Sequence, residues 1–324
     1  MQSPARHTWL TLVLAYLAAA LILAFLSHSL PRMLPGDFVT AMYGSSDVTL
    51  DAQQEAELRA YYQDDSGFAG FLGRLLRLDW GYSYTFLAPV STLFFDALPW
   101  TLVLMGTAHL LSSLLGFVLG VESAWRRGTR TEKAGVGIMT VLEGIPELCA
   151  GALLLLVFAL HLGWFPAAGA QTAYADHTFV QQTADRLHHL ALPLTTLILA
   201  YFPGNFLLAR AGMVMVMKSP FVLTARAKGL PPVRVRYAHA ARNALLPLVT
   251  RFGLRFAFMI TGALVVETIF SYPGLGTLLF NAIAMRDLPL IQGIVLAASV
   301  MVLGVNLALE YVYTLLDPRV AHAS

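Results

Sequence analysis

Residues 98–121 read LPWTLVLMGTAHLLSSLLGFVLGV, a run without a single Asp, Glu, Lys or Arg. About 20 apolar residues, rising 1.5 Å each along a helix, cross the ~30 Å hydrocarbon core of a bilayer. Five further apolar stretches approach that length: Trp9–Leu30, Val136–Leu162, Leu190–Val216, Phe252–Ile269 and Leu290–Leu316. The weakest is Phe252–Ile269, because Arg251 and Arg255 stand at its start, where long cationic side chains would snorkel toward headgroups.

Composition agrees with this reading. Of the 324 residues, 57% are hydrophobic and 12% charged, against roughly 25% charged in a soluble domain. Much of the surface must therefore meet something other than water. The net charge of +2 is too small to indicate a nucleic-acid partner. A lone cysteine, Cys149, can form neither an internal disulfide nor a metal cluster. The first stretch is longer than a signal-peptide core, and Ser27-His28-Ser29-Leu30-Pro31 is a poor cleavage site, so it reads as an uncleaved span.

Lysine and arginine set the orientation. Fifteen of the 21 fall on one side, at Arg6, Arg126–Lys133, Arg210–Arg255 and Arg319, and six on the other. The expected fold is all-α: a polytopic membrane protein with about six transmembrane helices and both termini cytoplasmic, forming one membrane domain over residues 1–324. Residues 31–97 make a long first extracytoplasmic loop. Its acidic run of Asp37, Asp47, Asp51, Glu55, Glu57, Asp64, Asp65, Asp79 and Asp96 reads as a solvated face. Asp51–Gln63 and Phe68–Leu78 are predicted surface helices.

The cytoplasmic loop 217–250 is the most informative segment. In Lys218-Ser219-Pro220-Phe221-Val222-Leu223-Thr224-Ala225-Arg226-Ala227-Lys228-Gly229-Leu230-Pro231-Pro232, Ser219 suits an N-cap and Pro220 the first helical position. Gly229 suits a left-handed C-terminus, and the prolines that follow stop continuation. Thus about two turns of helix carry small residues between fixed ends, a shape that lets a partner's groove approach the backbone closely. A second, basic helical stretch, Val233–Pro247, leads toward the next span. Its cations suit acidic partner groups or lipid headgroups.

Thr224-Ala225-Arg226-Ala227-Lys228-Gly229-Leu230, followed by Arg242-Asn243-Ala244-Leu245-Leu246-Pro247, resembles the signature loop of ABC-transporter inner-membrane permeases of the oligopeptide/dipeptide/nickel importer class. The resemblance runs on through Val266-Glu267-Thr268-Ile269-Phe270-Ser271-Tyr272-Pro273-Gly274-Leu275-Gly276, Arg286-Asp287-Leu288-Pro289-Leu290-Ile291-Gln292-Gly293 and Leu315-Leu316-Asp317-Pro318-Arg319. Upstream it takes in Leu34-Pro35-Gly36-Asp37, Asp79-Trp80-Gly81-Tyr82-Ser83 and Leu162-Gly163-Trp164-Phe165-Pro166-Ala167. What the resemblance implies is half of a translocation pathway for peptides, nickel or a similar small solute. The implied partners are a second, homologous permease, two cytoplasmic ABC ATPases and an extracytoplasmic solute-binding protein. The helix Leu223, Thr224, Ala225, Arg226, Ala227, Lys228 and Gly229 would be the part that couples to an ATPase. Many ABC permeases carry Glu where this chain has Leu223, so that particular contact is not expected here.

Other residues are weighed on chemistry. Glu267 lies near the outer end of the fifth stretch, where it would be partly wet and serve packing or a gate. Tyr272-Pro273-Gly274 is a turn signal at which the chain leaves that span. Glu143 and Glu147 stand four apart on one face of the third stretch, with Pro146 weakening the helix between them; they are candidates to line a path for a cationic solute, or to pair with a partner permease. Adjacent His188 and His189 diverge by ~100° on a helix and do not readily share a metal. His109 and His161 carry no metal site either. The chain has no nucleophile elbow, zinc signature or phosphate-cradling glycine loop. It is therefore expected to be no enzyme, to need no cofactor, and to leave ATP hydrolysis to separate subunits. The competing reading, an ion-gradient-driven secondary transporter, would call for internal repeats and buried charged ion sites, and the chain shows no half-to-half repeat.

Overall fold

The computed structural model describes residues 4–33, 36, 38–43, 51–62, 67–257 and 264–316. They are almost entirely helical, with one two-stranded hairpin. Among the described residues, four helices are long and apolar enough to cross a membrane, or five if one bent pair counts as a span. The Leu34–Asp37 motif lies largely outside the described residues, as do Asp47, Asp64, Asp65 and Asp317–Arg319.

The predicted stretches map onto helices in order. The first is α1, Pro4–Arg32. The long loop holds α2, Phe38–Tyr43, and the two expected short helices, α3 Ala52–Tyr62 and α4 Phe68–Leu76. Strands β1, Tyr82–Ser83, and β2, Ala88–Pro89, pair antiparallel and lead directly into α5, Val90–Trp125. On α5, Leu110, Leu111, Leu114, Leu115, Val118 and Leu119 are all exposed. Their i, i+4 spacing makes one apolar stripe, the face a helix presents to lipid.

The third stretch is not one straight span. It is α6, Arg130–Glu143, and α7, Glu147–Leu154, which continues as a π-helical turn to His161. The two halves are bent by 93° across Gly144-Ile145-Pro146. Pro146 has no amide hydrogen to donate and clashes with the preceding turn, so the chain breaks where the sequence only suggested a weakening. Helix α8, Phe179–Val216, covers the fourth stretch. The loop contains α9 Pro220–Ala227, α10 Pro232–Arg234, a π-helical segment Val235–Ala241 and α11 Arg242–Ala244. The fifth stretch is seen as α12, Leu246–Ala257, and α13, Leu264–Ile269, its middle lying outside the described residues. Helices α14, Leu275–Ala284, and α15, Leu288–Leu316, complete the order.

The chain forms two compact units, Met1–Pro99 with Gly274–Ser324, and Trp100–Pro273. In the first, α1 packs along α15. Ala24, Phe71 and Leu296 share a small core, and the Gln292 side-chain amide donates to the His28 carbonyl at 3.3 Å. An apolar cavity of about 650 Å³ lies between α4, the hairpin, the start of α5 and α15.

In the second unit, α5 meets α8 at very short range. A Cβ at Gly116 would stand 2.7 Å from the Asn205 Cβ, and one at Gly120 only 2.6 Å from the Phe206 carbonyl oxygen. This small-xxx-small pair lets the helices approach where lipid offers no hydrophobic drive. Buried Asn205 fixes the register, its side-chain amide donating to Ser112 and Ser113, each at 3.3 Å. One core of this unit gathers Leu104, Met105, Leu197, Val266 and Phe270; another lies beneath the loop.

Candidate functional site

Local chemistry builds α9 much as its sequence suggests. Ser219 takes an extended conformation, Pro220 opens the helix, and Gly229 adopts φ +71° just past its end. The Ser219 hydroxyl, however, makes no capping bond. The Thr224 hydroxyl instead donates back to the Pro220 carbonyl at 3.0 Å. Val222 (0% exposed) and Ala225 (4%) point inward against Val121, Ala124, Met213 and Ala240. Leu223 (56%) and Phe221 (44%) point outward, together with Thr224, Arg226, Ala227, Lys228 and Gly229. Of the seven residues Leu223–Gly229, only Ala225 belongs to the chain's own core. Phe221 was not singled out from sequence, yet it too is exposed, on the other side of buried Val222 from Leu223.

Electrostatics brace this helix to the end of α5. The guanidinium groups of Arg226 and Arg236 lie 5.0 and 5.2 Å from the Trp125 ring centroid. Arg236 also pairs with Glu122, and the Tyr237 hydroxyl donates to Glu122 Oε1 at 2.6 Å. That bond to a carboxylate, with lesser help from burial, pushes the Tyr237 phenol above its ordinary value. One level away, Arg210 of α8 donates through Nε to Glu132 of α6 at 2.8 Å. Sequence reading passed over Trp125 and Glu122. The available signal was Glu122 itself, the one acid in the apolar run 98–125.

The break between α6 and α7 separates Glu143 and Glu147. They close and open different helices, so the i, i+4 face expected of them does not exist. Glu143 is exposed and Glu147 half-buried. Arg251 and Arg255 do not reach for headgroups, as their position suggested. Arg251 donates to the Gly204 carbonyl at 2.9 Å, and Arg255 lies 4.9 Å from the Tyr201 ring centroid.

Glu267 is fully buried rather than partly wet, because the Trp100–Pro273 unit closes around it. The Thr101 hydroxyl donates to its Oε1 at 2.6 Å. The turn after α13 forms at the expected place. The Tyr272 amide caps the Glu267 carbonyl at 2.8 Å, and the Tyr272 ring meets Trp100 edge-on at 5.9 Å. Pro273 is exposed, and Gly274 is the N-cap of α14. His188 contacts the Trp164 carbonyl and His189 the Asp185 carbonyl, so the adjacent rings serve different partners. Among the described residues, no three His, Cys, Asp or Glu side chains converge in a manner suited to a metal ion.

Apolar helices with exposed apolar stripes and a glycine-closed helix crossing define a multi-pass membrane protein. The chain belongs to the family of binding-protein-dependent transport system inner membrane components, whose model matches residues 112–322. It is 33% identical over 304 residues to the oligopeptide transport system permease protein AppB of Bacillus subtilis, covering 93% of this chain and 94% of that one. It is 34% identical over 323 residues to the di/tripeptide transport system permease protein DppB of Pseudomonas aeruginosa, covering 92% and 93%. The glutathione transport system permease protein GsiC of Salmonella choleraesuis is 31% identical over 314 residues, covering 96% and 97%.

Proposed function

We propose that this chain is the permease subunit of an ATP-driven ABC importer for short peptides, forming half of the pathway with a second, homologous permease. Two cytoplasmic ABC ATPases would supply the energy, and an extracytoplasmic binding protein would deliver solute. The observation that carries the reading is that α9 leaves Phe221 and Leu223 exposed on either side of buried Val222 while it is clamped to α5 through Trp125. An ATPase groove that receives α9 would move α9 and α5 together, the rigid-body form of switching. Peptides are favoured over nickel because the relatives named above carry peptide and glutathione names.

The test is co-expression with the candidate second permease, both ATPases and the binding protein, followed by reconstitution into proteoliposomes. Uptake of labelled peptides that requires ATP and the binding protein is expected. Solute movement by this chain alone, driven by an ion gradient, would overturn the reading and favour a secondary transporter.

A further inference from the structure

The broken span borders a polar cluster of mixed sign. A Cβ at Gly204 would stand 2.7 Å from Glu143 Oε1 and 2.8 Å from Arg251 Nη2, so the acid ending α6 and the first arginine of α12 meet at one point on α8. One turn further along α12, Arg255 lies against Tyr201, whose ring stacks on buried His109 at 4.6 Å and 11°. The Arg255 Nη1 atom is buried and has no hydrogen-bond partner among the described residues.

Depth gives this cluster its meaning. Tyr201 is 15 residues from Val216, the end of α8, or about 22 Å along the helix axis at 1.5 Å per residue. Arg255 therefore sits well within the helical bundle, far from where α8 ends. A cation at that depth is costly and characteristically marks a solute or ion pathway. An interrupted span beside it has the same implication, since non-helical backbone is tolerated at membrane depth only where protein or a water-filled cavity covers it.

The charges differ in how far they are satisfied. Arg251 donates to the Gly204 carbonyl. Arg255 has an aromatic face, which attracts a guanidinium without using its edge donors. The unpartnered Nη1 of Arg255 is a donor that a carboxylate oxygen can accept from, and the guanidinium plane suits a two-oxygen acceptor.

We propose that Arg255 is a solute-contact residue that receives the terminal carboxylate of a peptide as it passes the break at Gly144-Ile145-Pro146, held in plane by Tyr201. This rests on the peptide reading above and adds the part of the peptide that the permease itself recognises. Tyr201 and His109 are positioning residues, and Arg251 and Glu143 lie beside the path.

The test uses the complete reconstituted transporter, supplied with a tripeptide library and the same library amidated at its C-termini. The ratio of free-acid to amide uptake is compared between the wild type, Arg255→Gln and Arg255→Lys. The binding protein is common to all three, so its own preference cancels. Arg255→Gln is expected to lower free-acid uptake about tenfold, the scale of one charge-assisted fork, while amide uptake stays within about twofold. Arg255→Lys, which keeps the charge but loses the fork, is expected to fall between. If the glutamine variant fails to assemble, the lysine variant alone must still shift the ratio in the same direction. Equal losses for both libraries would reduce Arg255 to a structural residue, and an unchanged ratio would remove it from the path. Absence of any peptide uptake by the wild type would instead overturn the peptide reading itself, and this inference with it.

Discussion

The Ser83 hydroxyl donates to Asp287 Oδ2 at 2.6 Å, joining residues 204 positions apart in the chain. Asp287 is fully buried and also accepts from the Thr85 amide at 2.9 Å and the Leu290 amide at 3.3 Å. One carboxylate thus caps the start of α15 and fastens the hairpin to it. Two sequence motifs of the resemblance, Asp79–Ser83 and Arg286–Gly293, turn out to be the two sides of a single joint.

Removing that joint should cost stability in proportion to the donors left unpaired. Each stranded buried donor costs about 1–3 kcal/mol. Asp287→Ala, which removes three accepted bonds, is expected to lower the melting temperature of the detergent-purified chain more than Ser83→Ala, which removes two. Scanning calorimetry or a tryptophan-fluorescence melt decides; equal melting temperatures for both variants and the wild type would remove the joint from the fold's support.

The two faces of α9 predict opposite failures. Ala225→Trp pushes a large ring into a core position, where overpacking costs about 1–3 kcal/mol, so loss of the folded chain is expected. Leu223→Asp alters an exposed edge and is expected to leave melting within ~0.5 kcal/mol of the wild type while abolishing binding-protein-stimulated ATP hydrolysis. Normal stimulated hydrolysis in Leu223→Asp would place the ATPase contact elsewhere.

Trp125 fastens α9 and the segment after it to the end of α5. Each guanidinium over a half-buried ring is worth about 0.5–2 kcal/mol, and Trp125→Leu removes two of them together. Faster amide exchange across residues 220–241 is expected, with the α5–α8 crossing unaffected. Tyr237→Phe should reproduce part of the effect. Because the Tyr237 value is raised, its bond to Glu122 contributes fully below the ordinary tyrosine value of ~10 and fades only as the pH climbs through the raised one. The difference between wild type and Tyr237→Phe should therefore be constant from pH 6 to pH 9.

How much of this was legible in sequence follows from the range of each interaction. Pro220 and Gly229 act within one or two residues, so the ends of α9 could be placed before the structure. Span positions follow from hydropathy, which is also local. The i, i+4 argument for Glu143 and Glu147 presumed an unbroken helix and failed at Pro146. Arg251 and Arg255 were judged by their position near an end, although Gly204 and Tyr201, on another helix, decide where their charges go. Trp125 was passed over for the same reason: its partners lie 101 and 111 positions later. Gly116 and Gly120 counted toward hydropathy when their use is absence of a side chain.

That absence can be tested directly. Gly120→Leu would drive a side chain into the Phe206 carbonyl and the Ala209 Cβ, which are backbone or one bond from it and cannot swing aside. Loss of folded protein is expected. Gly137→Leu is the control, since a Cβ there has nothing within 4 Å. Comparable yields of both variants by fluorescence-detected size-exclusion chromatography would mean that the α5–α8 crossing tolerates separation.

Glu267 separates a latch from a charge-dependent gate. The Thr101 hydroxyl donates to one of its oxygens, and the whole side chain is enclosed. A glutamine retains the accepting oxygen and nearly the same volume but no charge. Alanine retains neither, leaving a buried donor and a void, at a cost of about 2–5 kcal/mol by analogy with other large-to-small core changes. If Glu267 holds α5 to α13 as a latch, Glu267→Gln should melt near the wild type and keep peptide uptake within about twofold, while Glu267→Ala loses both. If its charge opens a gate, Glu267→Gln should melt normally yet fail to transport. The enclosed geometry favours the first outcome, and paired melting and uptake measurements on the two variants discriminate between them.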